Sequence, residues 1–441
     1  MSQLVEIRRL LGDTNPHLYR GLSSSQDHVS ESGVARLRHL PQHNMSVIPL
    51  GGVDSGNSVG DGKIESQPSE PRPDAPAVPV QSPVARIPSQ YPPRPSYPAR
   101  KDLGACPPLF GHVAIHIAYV EQSMINHYKV AQQTMRCYLK GVNYTVFMVD
   151  LDKDELVKRE CSEHKQKHCA VKAYLNRTDW MVVLDADAGV ANPNHCFEVE
   201  PEWIDPRVSV VLYERFFNWE IASGNYIIRN DVFGHQFLDK WADMEFEKGH
   251  FPSDGTQQLH VLRNVIPDAQ QEAKNCAELW AKARDYDTYM GYVVCCKIAL
   301  GATRLWPGKV RIYRRAHGWI RDGFLTTDEF SPNDFMLHGW KNNAILQDNW
   351  ESPFHTAPNP ETCTATWTDW PYRPGKSVNA TKTKMHLANF ERSAGDTFPN
   401  FLLLKSQRIT AKPREIQKSR VHPFLTMADV RDCYPDCERL T

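Results

Sequence analysis

The sequence lacks several patterns that mark common classes of protein. It has no apolar run of roughly 18 or more residues and no signal peptide after Met1, so it predicts no membrane span and shows no secretory leader. Its formal net charge is −1 and its aromatic-rich part has no basic stripe, which argues against a nucleic-acid partner. Glycine-rich phosphate loops are also absent, so a bound nucleotide would have to be held by side chains and a metal.

Cysteine is too scarce to predict a disulfide scaffold. The chain has 11 cysteines in 441 residues, and none of their spacings matches a zinc site. Cys161 and Cys169 are close enough in sequence to close a short disulfide loop, and so are Cys433 and Cys437. Buried free thiols are the alternative interpretation for both pairs.

The amino-terminal part of the chain differs in composition from the rest. Residues 1–100 hold 14 of the 32 prolines but no tryptophan or phenylalanine, so residues 1–105 are expected to be a disordered Pro/Ser-rich region. Its Pro92–Pro95 stretch is either plain linker or a ligand for an SH3 or WW module. Residues 106–408 are long enough for one large α/β domain, and residues 409–441 are expected to form an irregular tail.

Hydrophobic periodicity in the central part predicts alternating strands and helices. Such alternation predicts a mixed, mostly parallel Rossmann-like sheet with helices on both faces. The predicted strands are Val113–Tyr119, Tyr144–Val149, Trp180–Leu184, Val208–Tyr213 and Tyr226–Arg229, and the predicted helices cover about 122–140, 153–177 and 231–246.

The most informative feature is the pair Asp185 and Asp187, which follows the apolar run Trp180–Leu184. Carboxylates at the carboxyl end of a buried strand lie where open α/β sheets bind ligands, and a divalent cation is a suitable partner for them. A capped strand end without a metal is the alternative. Three further Asp-x-Asp pairs have less suitable surroundings: Asp150/Asp152, Asp152/Asp154 and Asp285/Asp287.

Four other clusters of polar and aromatic residues lie in the same part of the chain. Each alone is more typical of a core or helix-cap feature, but an imidazole added to a carboxylate pair makes a suitable Mn²⁺ ligand set. The clusters are Asn218–Asn225, Pro252–Gln258, Gly318–Gly323 and Phe335–Lys341.

These motifs together resemble the GT-A glycosyltransferases, in which an Asp-x-Asp sequence at a strand end binds Mn²⁺ and a nucleotide-sugar diphosphate. The chain is most similar to a nematode-expanded domain-of-unknown-function family, itself similar to fungal and plant galactosyl/xylosyl transferases of the Golgi. The resemblance covers roughly 113–343 and rests on motifs in the right order. They are Leu184–Pro193, Asn218–Gly224, Asp322–Thr326 and Asp334–Lys341.

The resemblance implies a role for individual residues. Asp185, Asp187 and His338 would bind Mn²⁺ or Mg²⁺, and Glu220 and Asp254 would be the catalytic residues. The spacing His-Gly-Trp-Lys is shorter than the related His-x-x-Gly-x-x-Lys element, and Asp254-Gly-Thr-Gln departs from its counterpart by one residue. Donor or acceptor binding would fall to Trp219, Ser223, Gly224, Asn225, Gln257, Gly339, Trp340 and Lys341.

The implied activity is transfer of a hexose or pentose from a UDP-sugar or GDP-sugar to a glycan or protein acceptor, with retention at the anomeric carbon. The implied compartment is the Golgi lumen. Three alternatives remain open: an inactive transferase fold that only binds, a metal-dependent phosphoesterase, and an interaction protein acting through its proline-rich arm.

Overall fold

The computed structural model describes residues 106, 108–121, 127–161, 167–198, 203–244, 255–341, 352–366, 369–392 and 427–437. The predicted disordered region and its Pro92–Pro95 stretch lie outside these residues, as does Asp254. Most of the predicted tail also lies outside them, and its described part is residues 427–437.

Seven strands in the described residues form one mixed sheet. The strands are β1 (Val113–Tyr119), β2 (Thr145–Asp150), β3 (Trp180–Leu184), β5 (Val210–Tyr213), β6 (Tyr226–Arg229), β7 (Leu305–Trp306) and β8 (Val310–Tyr313). Their order in the sheet is β2-β1-β3-β6-β5-β8-β7. Neighbours are parallel in the pairs β1–β2, β1–β3 and β5–β8, and antiparallel in β3–β6, β5–β6 and β7–β8.

Helices pack on the sheet, and none in the described part of the chain has the length and apolarity that a membrane crossing requires. Two helices are observed within the predicted helix at 153–177. Asp154 caps the start of the first one, which ends at Glu160. The helices are α1 (Lys129–Tyr138), α2 (Glu155–Glu160), α3 (Lys167–Leu175), α4 (Val232–Met244), α5 (Gln257–Val265), α6 (Gln270–Lys282) and α7 (Tyr286–Leu300), with a further helix at 380–392.

The central strand β3 explains why the sheet has a core on each face. All five of its side chains are buried, and they alternate between two apolar clusters. Met181 and Val183 join the cluster that contains α3 to α7, whereas Val182 and Leu184 join the cluster that contains α1. This alternation follows from the two-residue period of a strand and confirms the predicted α/β class with helices on both faces.

A small second sheet lies beside the end of β3. It consists of β4 (Gly189–Val190), β10 (Met336–His338) and β9 (Ile320–Asp322), with β10 in the middle. A Cβ atom on Gly189 would lie 2.0 Å from the Trp340 ring, so glycine allows the turn after β3 to pack against the end of β10.

Disulfides are far more extensive than the composition predicts. All eleven cysteines lie in the described residues, ten of them are paired, and Cys296 is a buried free thiol. Pairing across 90 and 226 residues cannot be read from spacing, so a disulfide scaffold could not be predicted from the sequence. The bonds are Cys106–Cys196, Cys137–Cys363, Cys161–Cys169, Cys276–Cys295 and Cys433–Cys437.

Residues 427–437, named here the C-terminal segment, are anchored to the domain through a buried ion-pair cluster. The Arg315 guanidinium donates to Asp429 at 2.6 Å and to Glu391 at 2.5 Å. The Glu391 carboxylate also accepts from the backbone amides of Asp429 and Val430, at 2.7 and 3.1 Å. The segment therefore packs as part of the folded unit, although its backbone is irregular.

Candidate functional site

The structure brings together the three residues that were predicted to bind a metal. Asp185 and Asp187 follow the carboxyl end of β3, and His338 is the last residue of β10. The His338 Nε2 atom lies 3.4 Å from an Asp185 oxygen and 3.3 Å from an Asp187 oxygen. One ligand atom from each of the three residues lies within 4.8 Å of the other two, which is compact enough to surround one cation.

Gly224 and Asn225, which directly precede β6, lie against Asp185. The Asn225 side-chain oxygen accepts from the Asp185 backbone amide at 2.9 Å. A Cβ atom on Gly224 would lie only 1.7 Å from an Asp185 carboxylate oxygen. The absence of a side chain at Gly224 therefore lets the backbone pass directly behind this carboxylate.

Asp187 is buried, and one of its oxygens shows that the cluster is suited to a cation. Its backbone carbonyl accepts from the Trp340 amide at 3.0 Å, which ties Asp187 to the end of β10. The Oδ2 atom has no hydrogen-bond partner among the described residues. A buried carboxylate oxygen without a donor is costly, and two carboxylates with one imidazole are ligands that Mn²⁺ accepts. The residues present therefore fit a divalent cation.

Lys167 is a site residue that sequence reasoning missed. It begins α3, and its ammonium group donates to an Asp185 oxygen at 2.5 Å. Burial alone would raise the pKa of Asp185, but Lys167 and then His338 lower it below the usual carboxyl range. Asp185 is therefore a carboxylate at neutral pH. In the sequence, Lys167 is one of several lysines in the predicted helical crossover, and no spacing distinguishes it from the others.

His338 has a second carboxylate on its other side. Its Nδ1 atom lies 2.9 Å from Oδ1 of Asp322, and the same oxygen accepts from Arg215 at 2.9 Å. Burial alone would lower the pKa of His338, but Asp187, Asp185 and Asp322 raise it well above its ordinary value. These carboxylates favour the protonated imidazole, and a cation bound by Asp185 and Asp187 would compete with that proton.

Glu220 lies in a tight loop that is fixed by a backbone bridge between its two ends and by hydrogen bonds to the Glu220 carboxylate. An antiparallel bridge joins Glu214 to Ile221, which closes the loop. The carboxylate accepts from Gln257 at 3.2 Å, from Asn218 at 3.2 Å and from the Tyr289 hydroxyl. Three donors therefore hold this half-buried carboxylate in one orientation, and Tyr289 is a contact that the sequence did not suggest.

Both tryptophans predicted to take part in donor or acceptor binding are largely buried. Trp219 is 5% exposed, has a φ of 58°, and lies under the Arg315 guanidinium at 4.9 Å from the ring centre. Trp340 is 2% exposed, packs against Gly189, and donates from Nε1 to Asp328 at 3.0 Å. Both rings therefore pack around the site, and their part in donor or acceptor binding stays a prediction.

The remaining predicted donor- or acceptor-binding residues flank these groups. Ser223 is half-buried beside Gly224, and Gln257 belongs to the Glu220 contacts. Gly339 has a φ of 98°, a conformation that suits glycine, and turns the chain between His338 and Trp340. Lys341 is half-buried at the end of that turn. The position of Asp254 is outside the described residues.

The central part of the chain matches a known protein family. Residues 135–352 match the family described as "Protein of unknown function, DUF273". This match confirms the resemblance to a domain-of-unknown-function family, and it contains Asp185, Asp187, Glu220 and His338. No match was found among curated protein sequences.

Two solved structures of glycosyltransferases show a distant likeness. One is a glycosyltransferase involved in the glycosylation of the major capsid of PBCV-1, with 13% identity and a TM-score of 0.31, covering 52% of this chain and 93% of that one. The other is the mannosyltransferase PcManGT from Pyrobaculum calidifontis in complex with GDP-Man and Mn²⁺. It has 10% identity and a TM-score of 0.26, and covers 47% of this chain and 77% of that one.

Proposed function

We propose that the site is that of a metal-dependent glycosyltransferase, in a chain whose residues 135–352 match the DUF273 family. Its donor would be a nucleotide-diphosphate sugar, UDP- or GDP-linked, and its acceptor a glycan or glycoprotein. The observation that carries the proposal is the cluster of Asp185, Asp187 and His338, in which a buried Asp187 oxygen has no donor among the described residues. The fold places this cluster at a strand end, where α/β sheets bind nucleotides.

Asp185, Asp187 and His338 would hold Mn²⁺ or Mg²⁺. When bound, the cation would offset negative charge on the nucleoside diphosphate as it leaves the sugar. Lys167 adds a further positive charge beside Asp185, which favours a polyanionic donor. The chain can therefore bind phosphates without a glycine-rich loop.

A role for Glu220 in the sugar-transfer step is supported by the three hydrogen-bond donors that fix its carboxylate. As the bond from the anomeric carbon to the phosphate breaks, positive charge develops on the sugar, and a carboxylate fixed in advance stabilises it. The acceptor hydroxyl forms the new bond to that carbon and gives its proton to the departing phosphate oxygen. Attack on the face that the phosphate leaves retains the anomeric configuration, and Asp254 is the second candidate for placing the acceptor.

Replacing Glu220 by glutamine should separate catalysis from metal binding. Glu220→Gln keeps the size of the side chain but removes its charge, so we expect at least about a 10²-fold slower transfer, with Mn²⁺ affinity unchanged. The assay is release of UDP or GDP from a panel of hexose and pentose donors in the presence of Mn²⁺ and candidate acceptors. The control is Glu155→Gln, an exposed glutamate on α2.

The same assay distinguishes the alternative functions. Nucleotide binding without release of UDP or GDP from any donor would favour an inactive, ligand-binding transferase fold. Release of inorganic phosphate from UDP or GDP would favour a phosphoesterase. Equal rates for Glu220→Gln and wild type would remove Glu220 from the catalytic role.

We further propose that the domain matures in an oxidising compartment such as the Golgi lumen. Ten paired cysteines support this proposal, because structural disulfides persist mainly in oxidising compartments. The three glycosylation-type sequons in the described residues also have exposed asparagines: Asn143, Asn176 and Asn379.

A thiol count tests the compartment proposal. Protein recovered from the secretory route of a eukaryotic host and denatured without reductant should react at one thiol per chain, that of Cys296. After reduction, all eleven cysteines should react. Eleven reactive thiols before reduction, in a protein that folds and binds nucleotide, would contradict the proposal.

A further inference from the structure

We infer that Asp322 is a positioning residue of the candidate metal site. It fixes the His338 imidazole so that Nε2 faces Asp185 and Asp187, and Arg215 fixes Asp322 in turn. The inference deepens the proposed function and rests on it, because it concerns how this chain prepares a ligand for the cation. Asp322 belongs to the Asp322–Thr326 motif, which contains neither a candidate metal ligand nor Glu220.

The register of the small sheet places the two side chains together. Strands β9 and β10 run parallel, and His338 is the register partner of Asp322. Because they are register partners on neighbouring strands, their side chains project to the same face of the sheet, and each is the last residue of its strand. Both residues are buried, at 5% and 8% exposure, and the Nδ1 to Oδ1 distance is 2.9 Å.

The hydrogen bond determines which imidazole nitrogen can bind a cation. A carboxylate only accepts hydrogen bonds, so Nδ1 of His338 must carry a proton when it faces Asp322. The lone pair of the neutral ring is then on Nε2, which lies within 3.4 Å of both Asp185 and Asp187. Carboxylates in this outer position fix the ring orientation and raise the basicity of a metal-binding histidine.

Arg215 makes the arrangement stable in a buried setting. Its guanidinium donates to the same Asp322 oxygen at 2.9 Å and lies over the Phe217 ring at 4.9 Å from its centre. The Arg215 backbone amide donates to the Glu220 carbonyl at 2.7 Å. Arg215 therefore compensates the Asp322 charge and connects the His338 side of the site to the Glu220 loop.

The experiment measures Mn²⁺ affinity by calorimetry on the full chain. Asp322→Asn keeps an oxygen that can accept from both neighbours but removes the charge, and we expect its Mn²⁺ affinity to fall about 10- to 100-fold. The matched control is Asp334→Asn, which removes an equally buried carboxylate paired with Arg321 at 2.6 Å. The control should keep the wild-type Mn²⁺ affinity, whatever it loses in stability.

A double-mutant cycle separates positioning from a general structural effect. If Asp322 acts through His338, then adding Asp322→Asn to His338→Ala should cause no further loss of Mn²⁺ affinity. A further loss of the same size would show that Asp322 supports the fold rather than the histidine, and would overturn the inference. A folded Asp322→Asn protein with wild-type Mn²⁺ affinity would also overturn it.

The wild-type protein gives a second test, which is decisive if Asp322→Asn does not fold. In the Mg²⁺-loaded chain, nitrogen NMR of His338 should show a protonated Nδ1 and a non-protonated Nε2. The reverse assignment would overturn the inference. Wild-type protein that binds neither cation would instead contradict the proposed function, so the two failures are distinguishable.

Discussion

Replacing Asp429 by alanine is expected to lower the free energy of unfolding by about 3–5 kcal/mol. The change leaves Arg315, which is buried, with one of its two carboxylate partners. A buried charge that loses a partner cannot recover its hydration, so the loss is large. The exposed Asp432 lies in the same C-terminal segment, and Asp432→Ala is the control with little expected effect.

Urea denaturation at neutral pH measures this difference, and its pH dependence has a definite sign. Burial alone would raise the pKa of Asp429, but Arg315, Arg304 and Lys297 lower it to about 2. Because the folded pKa lies below the ordinary value of 3.8, the stabilisation is complete above that value and is lost as the pH falls toward 2. Equal stability of Asp429→Ala and Asp432→Ala at neutral pH would contradict the account.

The Arg315 side chain connects the C-terminal segment to the candidate site. Arg315 also lies over the ring of Trp219, which has the left-handed backbone conformation and directly precedes Glu220. Such a conformation persists in a bulky residue only where its surroundings hold it. A protein truncated before the C-terminal segment is therefore a poor substitute for the full chain in activity assays.

The second large effect is expected from the pair Asp185 and Asp187. Replacing both by alanine removes two of three candidate ligands and leaves Lys167 and His338 as positive groups at the same place. We therefore expect specific Mn²⁺ binding to be abolished, because a single imidazole does not retain the ion beside a lysine. Calorimetric titration of Mn²⁺ measures the loss.

Another Asp-x-Asp pair of the same chain provides the matched control. Asp150 is the last residue of β2, and its carboxylate accepts from the Asp152 amide at 3.1 Å in the surface turn that follows. Replacing both by alanine removes the same number of charges and should leave Mn²⁺ binding intact. Equal Mn²⁺ affinity of the wild type and the Asp185/Asp187 double variant would contradict the assignment of the site.

The sequence was sufficient to predict the parts of the site that depend on local pattern. A fully buried strand such as β3 must be an apolar run, so its end, and with it Asp185, could be read directly. The motifs identified in the sequence also include Gly189 and Gly224, which directly follows Ser223. The observed strands β1, β3 and β6 have the predicted bounds.

The contacts between distant segments could not be predicted in the same way. Strands β9 and β10 have three residues each, too few for a periodic pattern to set the register that pairs His338 with Asp322. Lys167 reaches Asp185 from a helix on another segment, which no spacing reveals. The burial of Trp340 could not be predicted either, because the size of a tryptophan side chain suits both ligand contact and core packing.

Calorimetric titration of UDP and GDP into the full chain, with and without Mn²⁺, tests the glycosyltransferase proposal. We expect that at least one of the two nucleotides binds and that binding requires Mn²⁺. The Asp185→Ala/Asp187→Ala variant should lose this binding, whereas the Asp150→Ala/Asp152→Ala variant should keep it. If a well-folded wild-type protein binds neither nucleotide in the presence of Mn²⁺, the glycosyltransferase assignment is contradicted.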